Sequence, residues 1–451
     1  QPFHEMLRAC LHAFRDANVA RASVGGIAAY VVPRRCMASS SFACRPTPPP
    51  LHRWLRAQSS LALGQGAMLG VALADLPAAA PVAASAVQES SRALGWWLVA
   101  TSASVFAMVV VGGITRLTRS GLSMTDWRPQ GKRWPRSEAE WEAEFKQYQQ
   151  FPEYRRLHHG TGFGLADFKN IFFWEWAHRM FGRSIGLIYG LPLAYFAVRG
   201  RIPRSLAPTL AGLFVLGGSQ GLIGWWMVKS GLEQKRVDEI EGGIPRVSPY
   251  RLATHLTCAF TIYTIGLYTG IGLLQPRVDG SIAALRPLQR RVRLLAVLIG
   301  LTAISGAFVA GMQAGYSYNT FPLMEGRVIP EGYMELRPLY RNFFESVPSV
   351  QLHHRALAVT SLASVTALWL SVQRMPLPRQ LRLATDALLV AAWSQVGLGI
   401  ATLVNAVPVH LGSAHQAGAL TLFSVVLFTI HSCRVPHAGK MLARFAAAKV
   451  H

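Results

Sequence analysis

The sequence predicts an all-α integral membrane protein of eight transmembrane helices, built as two duplicated four-helix bundles. Three observations carry this reading. The 451-residue chain is 51% hydrophobic and only 15% charged, which is more apolar side chain than a soluble domain of that length needs for its interior. Largely apolar runs of about twenty residues, long enough at roughly 1.5 Å per residue to cross a hydrocarbon core of roughly 30 Å, recur along the chain. Short polar motifs then repeat between the first four runs and the last four.

Residues 1–90 stand apart from the rest. Arg8, Arg15, Arg21, Arg34, Arg35, Arg45, Arg53 and Arg56 are set among Ala and Ser, with Glu5, Asp16, Asp75 and Glu89 as the only acids. An Arg-rich, acid-poor leader has the composition of a mitochondrial transit peptide and disordered leader. The apolar stretch from Leu61 to Ala74 is too short to span, and Asp75 and Pro77 follow it. Beyond the leader, an N-terminal bundle is expected over 91–275 and a C-terminal bundle over 285–435.

The first span is placed at 94–114, with Trp96 and Trp97 near its end as interfacial anchors. The second, 177–198, opens on Ala177-His178-Arg179. The third, 206–228, closes near Trp225 and Trp226. The fourth covers 252–274 and the fifth 294–312. The sixth, 353–373, opens on His353-His354-Arg355, and the seventh and eighth fall at 384–404 and 411–431.

Charge orients these spans. The segments on the side of the N-terminus, 199–205, 275–293, 374–383 and the tail from 432, carry 15 Lys and Arg against one acid, Asp279. The opposite segments carry 18 basic and 16 acidic residues. The basic side, which holds both termini, is the one expected to face the cytoplasm or the mitochondrial matrix. The net charge of +23 is thus a membrane signature, and nucleic acid is excluded as a partner. Of five cysteines, Cys10, Cys36 and Cys44 lie in the leader, Cys258 within a span and Cys433 just past one, so neither a disulfide framework nor a zinc spacing arises.

The duplication is read from motifs in order. Ala177-His178-Arg179 is matched by His353-His354-Arg355, Ser219-Gln220 by Ser394-Gln395, and Ala253-Thr254-His255 by Ser413-Ala414-His415. His178, His255, His354 and His415 therefore open the even-numbered spans, near the less basic membrane face. An imidazole in hydrocarbon is costly unless it faces the bundle interior and finds a partner. A helix-packing histidine bonded to a carbonyl would satisfy that condition singly. Four at equivalent places can approach two flat rings from opposite faces, which is what heme iron asks for; zinc would want a closed tetrahedral set that is not spaced here. Arg179 and Arg355 follow two of the histidines and could pair with heme propionates or snorkel to the interface. Glu175 shares a helical face with His178 if the helix extends that far back, as a proton acceptor or a polar anchor. His158, His159, His353 and His410 carry less weight.

Several stretches resemble the mitochondrial branch of the heme A synthase family: Gly112-Gly-Ile-Thr-Arg116 through Ser123, Glu175-Trp-Ala-His178-Arg179-Met-Phe-Gly-Arg183, Gln220 through Leu232, Tyr250 through His255, Tyr318 through Pro322, Gln351 through Arg355, and His415-Gln416. The resemblance runs from about 92 to 435. It implies an oxidoreductase that converts the methyl group of heme O to the formyl group of heme A, by successive hydroxylations, for cytochrome c oxidase. It further implies that His178 and His255 hold substrate heme O, that His354 and His415 hold heme b, and that Glu175 is the catalytic acid. The implied setting is the mitochondrial inner membrane, with both termini in the matrix. The implied partners are an electron donor, a heme O synthase and oxidase assembly factors, with homo-oligomerisation left open. Two features depart from the pattern: the segment 115–175 has no cysteine, and Gln313 stands where many relatives have an acid. A bis-histidine di-heme electron carrier and a heme carrier or assembly factor fit the histidines alone equally well.

Overall fold

Apolar side chains leave the backbone with no partner but itself in a hydrocarbon layer, and the helix is the local solution. The computed structural model of the protein describes residues 80–233, 238, 243–275 and 285–434, with side chains from 91 onward; the expected leader therefore falls outside the described residues, apart from the backbone of its last eleven residues, which is helical. Among the described residues there is no β-strand, only one isolated bridge between Met324 and Arg327. The helices are α1 (Ala80–Leu117), α2 (Glu138–Tyr148), α3 (Leu165–Val198), α4 (Ala207–Leu232), α5 (Pro249–Leu274), α6 (Arg286–Met312), α7 (Val347–Val372), α8 (Arg379–Val404) and α9 (Val409–Ser432). All but α2 are long and apolar enough to cross a membrane, eight in total, with α1 contributing Ser91–Leu117.

Proline sets many of the starting points. It occupies the first turn of α4, α5, α6 and α7, where its missing N–H would have no helical partner anyway. Pro378 and Pro408 immediately precede α8 and α9. Ser346 caps α7 by accepting from the Ser349 amide.

The second span departs from expectation. It starts at Leu165, twelve residues before the predicted 177. Asp167, Lys169, Asn170 and Glu175 make this stretch too polar to read as a span, yet ring packing holds it helical. Phe168 and Phe172 are fully buried against Trp141 and Tyr148 of α2, and Asp167 closes the first turn by accepting from the Gly164 amide at 3.0 Å. The connection 118–164 thereby folds back onto the N-terminal third of α3.

In the first group of helices, α1 packs on α3 and α5, and α4 packs on α3 and α5. In the second, α6 packs on α7 and α9, and α8 packs on α7 and α9. The groups meet where α5 lies on α6, and where α9 lies on α1 and α5. The largest apolar core fills this junction, with Val105 and Val109 from α1, Phe260 from α5, Val292 and Ile299 from α6, and Leu420 and Val426 from α9. Polar contacts cross it too: the Tyr263 hydroxyl lies 2.5 Å from Ser424 Oγ, and His431 Nε2 lies 2.9 Å from the Tyr268 carbonyl.

Helix spacing at the junction depends on missing side chains. A Cβ on Gly311 would lie 2.9 Å from the Pro249 Cα, whereas one on Gly217 would meet nothing within 4 Å. Gly311→Ala should therefore cost about 1–3 kcal/mol through backbone displacement, while Gly217→Ala should be neutral or stabilising by up to about 1 kcal/mol. Unfolding in mild detergent would show it, with only the first variant shifted downward.

The loop also holds a buried acid. Glu153 is 3% exposed and accepts from the Tyr148 hydroxyl at 3.1 Å. Burial pushes its carboxyl up to about 8, against the opposing pull of the Tyr148 hydrogen bond. The folded loop thus keeps a proton that the unfolded loop has lost, so loop stability should fall as pH rises from the ordinary carboxylate range to about 8 and level off above it. Glu153→Gln should flatten that slope, as read from urea midpoints of a loop-attached fluorophore at about pH 5 and about pH 9.

Candidate heme-binding site

The four histidines share one local construction. His178 of α3 lies against Gly112 of α1, where a Cβ would come 3.1 Å from its Nε2. His255 of α5 lies against Gly224 of α4 (3.4 Å to Cε1), His354 of α7 against Gly306 of α6 (3.2 Å), and His415 of α9 against Gly399 of α8 (2.8 Å). Each imidazole enters the gap to the neighbouring helix at the one residue type that leaves room for it. His178 and His255 are within electrostatic reach of each other, as are His354 and His415. Among the described residues no three His, Cys, Asp or Glu side chains converge as a bare metal ion would require. Two imidazoles per pair suit a planar macrocycle, with iron supplied by the macrocycle itself.

Hydrogen bonding differs between the pairs. Nδ1 of His354 lies 2.7 Å from Ser305 Oγ. Nδ1 of His415 lies 3.1 Å from Gln395 Nε2, which also donates to the His415 carbonyl at 2.9 Å. In the other pair, His255 Nδ1 and Gln220 Nε2 are both buried without a partner.

Buried groups with no partner test whether heme suits the site, because each costs about 1–3 kcal/mol unless something satisfies it. Next to His354, Arg355 gives Nη2 to the Tyr318 carbonyl at 2.8 Å, while its Nε and Nη1 are buried and unpaired. Two idle guanidinium donors beside an imidazole pair, with glycine-floored gaps, match a macrocycle that carries carboxylates.

Arg179, the sequence counterpart of Arg355, is committed elsewhere. It donates to the Asp126 and Met124 carbonyls at 2.9 and 2.8 Å and to Glu175 Oε1 at 2.6 Å. The other oxygen of Glu175 accepts from Ser123 Oγ and the Met124 amide, both at 2.7 Å. Glu175 is 2% exposed, so the pair forms a clamp that fastens residues 123–126 to α3 one turn from His178. The sequence sets Glu175 on one helical face with His178 and assigns Arg179 to a propionate or the interface; their pairing with each other and with Ser123 and Met124 is not part of that reading, because chain returning from the loop completes the contact. The glycine partners and Ser305 also escaped sequence reading. Of the residues given less weight, His158 stacks on Phe163 at 4.0 Å, and His353 stacks on Phe343 at 4.7 Å. Gln313 ends α6 in the left-handed region with φ 57°.

The chain matches the COX15-CtaA family, described as cytochrome oxidase assembly protein, over residues 95–427. It is 46% identical over 352 residues to heme A synthase COX15 of Arabidopsis thaliana, covering 77% of this chain and 76% of the relative. It is 45% identical over 347 residues to heme A synthase COX15 of Homo sapiens, covering 76% and 83%, and 45% identical over 365 residues to heme A synthase of Rhodospirillum centenum, covering 81% and 94%. With the matched region running from α1 to α9 and taking in all four histidines, the chain belongs to the COX15-CtaA family of cytochrome oxidase assembly proteins.

Proposed function

We propose that this protein is a heme A synthase of the mitochondrial membrane, oxidising the methyl group of heme O to the formyl group of heme A. The observation that carries the reading is the pairing of four glycine-backed histidines in a chain whose relatives, over three quarters of its length, are named heme A synthases. In this reading the halves 91–275 and 285–435 are duplicated bundles. His178 and His255 hold heme O as substrate, and His354 and His415 hold a heme b.

Bound heme supplies the redox chemistry; the protein supplies position and exclusion of water. The glycine contacts fix the depth at which each imidazole enters its helix gap. Arg355, with its two idle donors, takes a propionate. Glu175 serves the reaction as a polar anchor. Its two oxygens are occupied by Arg179, Ser123 and the Met124 amide, so it acts by holding loop residues 123–126 over the helix that carries His178. A formyl group in place of methyl withdraws electron density from the ring, which suits a terminal oxidase.

Expression together with a heme O synthase, in cells lacking their own heme A synthase, is the direct test. Heme A should appear on chromatography of extracted heme, whereas bound heme b with heme O left unconverted, in folded protein, would favour an electron or heme carrier. Glu175→Gln removes a charge-assisted contact and should lower heme A formation by about tenfold or more with heme b content unchanged. His178→Ala should abolish conversion and also leave heme b in place.

The basic segments support a reading in which both termini face the matrix. A C-terminal epitope should accordingly resist protease added to mitoplasts and be cleaved only after the membrane is dissolved.

A further inference from the structure

The two histidine pairs differ at the residue that precedes the supporting glycine. Under His354 that glycine is Gly306 and the residue before it is Ser305; under His178 it is Gly112, preceded by Val111. Ser305 Oγ donates its proton to the Thr302 carbonyl at 2.7 Å. Its oxygen therefore faces Nδ1 of His354, 2.7 Å away, as an acceptor. That places the ring proton on Nδ1 and leaves the Nε2 lone pair for a metal. Val111 has no hydroxyl and offers His178 nothing equivalent. His415 is held differently, since Gln395 Nε2 is a donor toward its Nδ1, whereas Gln220 Nε2 and His255 Nδ1 are both unpaired.

We propose that Ser305 is a positioning residue for a resident heme in the C-terminal half, locking His354 in its iron-binding tautomer, and that Val111 at the corresponding place leaves His178 unlocked so that its ligand can exchange. The inference rests on the reading above, in which His354 and His415 hold heme. An acceptor on Nδ1–H makes an imidazole a stronger donor and favours the ferric state; losing the acceptor raises the potential and weakens retention. The valine found in the other half is a natural apolar replacement, and threonine keeps the hydroxyl.

The experiment uses full-length protein purified with its heme b, comparing wild type, Ser305→Val and Ser305→Thr. Redox titration and transfer of heme to apomyoglobin are the readouts. Ser305→Val should raise the heme b midpoint potential and speed heme loss by about tenfold or more, while Ser305→Thr stays near wild type in both. If Val leaves the potential unchanged, or if Thr shifts it as far as Val does, the hydroxyl has no such role and the proposal falls while the synthase reading stands. If folded wild-type protein binds no heme b, the reading of His354 and His415 falls and takes this inference with it.

Discussion

An imidazole wedged against a bare glycine backbone is the contact around which this architecture is arranged. Each of the four histidines needs a neighbouring helix close enough to define its position and empty enough to admit a ring. The two demands conflict for any residue with a Cβ. Glycine resolves the conflict at Gly112, Gly224, Gly306 and Gly399, and it weakens each helix there, since glycine is among the poorest helix formers. In a membrane that weakness is tolerated, because breaking a helix in hydrocarbon leaves backbone groups unpaired. The lipid environment thus permits a design that would be more costly in water.

Much of this was legible from the chain. Eight apolar runs located eight helices, with boundaries mostly within a few residues, because length and hydrophobicity alone decide whether a segment crosses. The failure at Leu165 has a physical cause: the N-terminal part of α3 is stabilised by ring packing from α2, and tertiary packing leaves no trace in local hydropathy. The four histidines were found because they recur at matched places. Their glycine partners were not, since 40 glycines occur in the sequence and nothing local distinguishes the four that face a ring. Ser305 is similarly one serine among many in apolar helices, most of which bond back to their own turn.

Arg179 and Arg355 show where sequence equivalence misleads. Both follow a histidine, and their chemistry is identical. The longer connection after α1 returns to supply carbonyls and a carboxylate to Arg179, whereas two nitrogens of Arg355 receive nothing from the protein. A repeated motif has thus been put to two uses by the loops around it. One guanidinium fastens its own loop, and the other is available to a ligand.

The hydroxyl pair at the junction of the helix groups has a bearing on assembly. Tyr263 donates to Ser424, which passes its own proton to the Leu420 carbonyl, so a short proton-ordered chain sits within a largely apolar seam. Side chains in such a seam can slide past one another at little cost, because one methyl group is much like the next. A tyrosine hydroxyl that bonds across the seam cannot, since displacement by a single turn would strand it in hydrocarbon. Tyr263 and Ser424, with His431 on the Tyr268 carbonyl, therefore work as register pins, giving two largely apolar surfaces one preferred depth of insertion relative to each other.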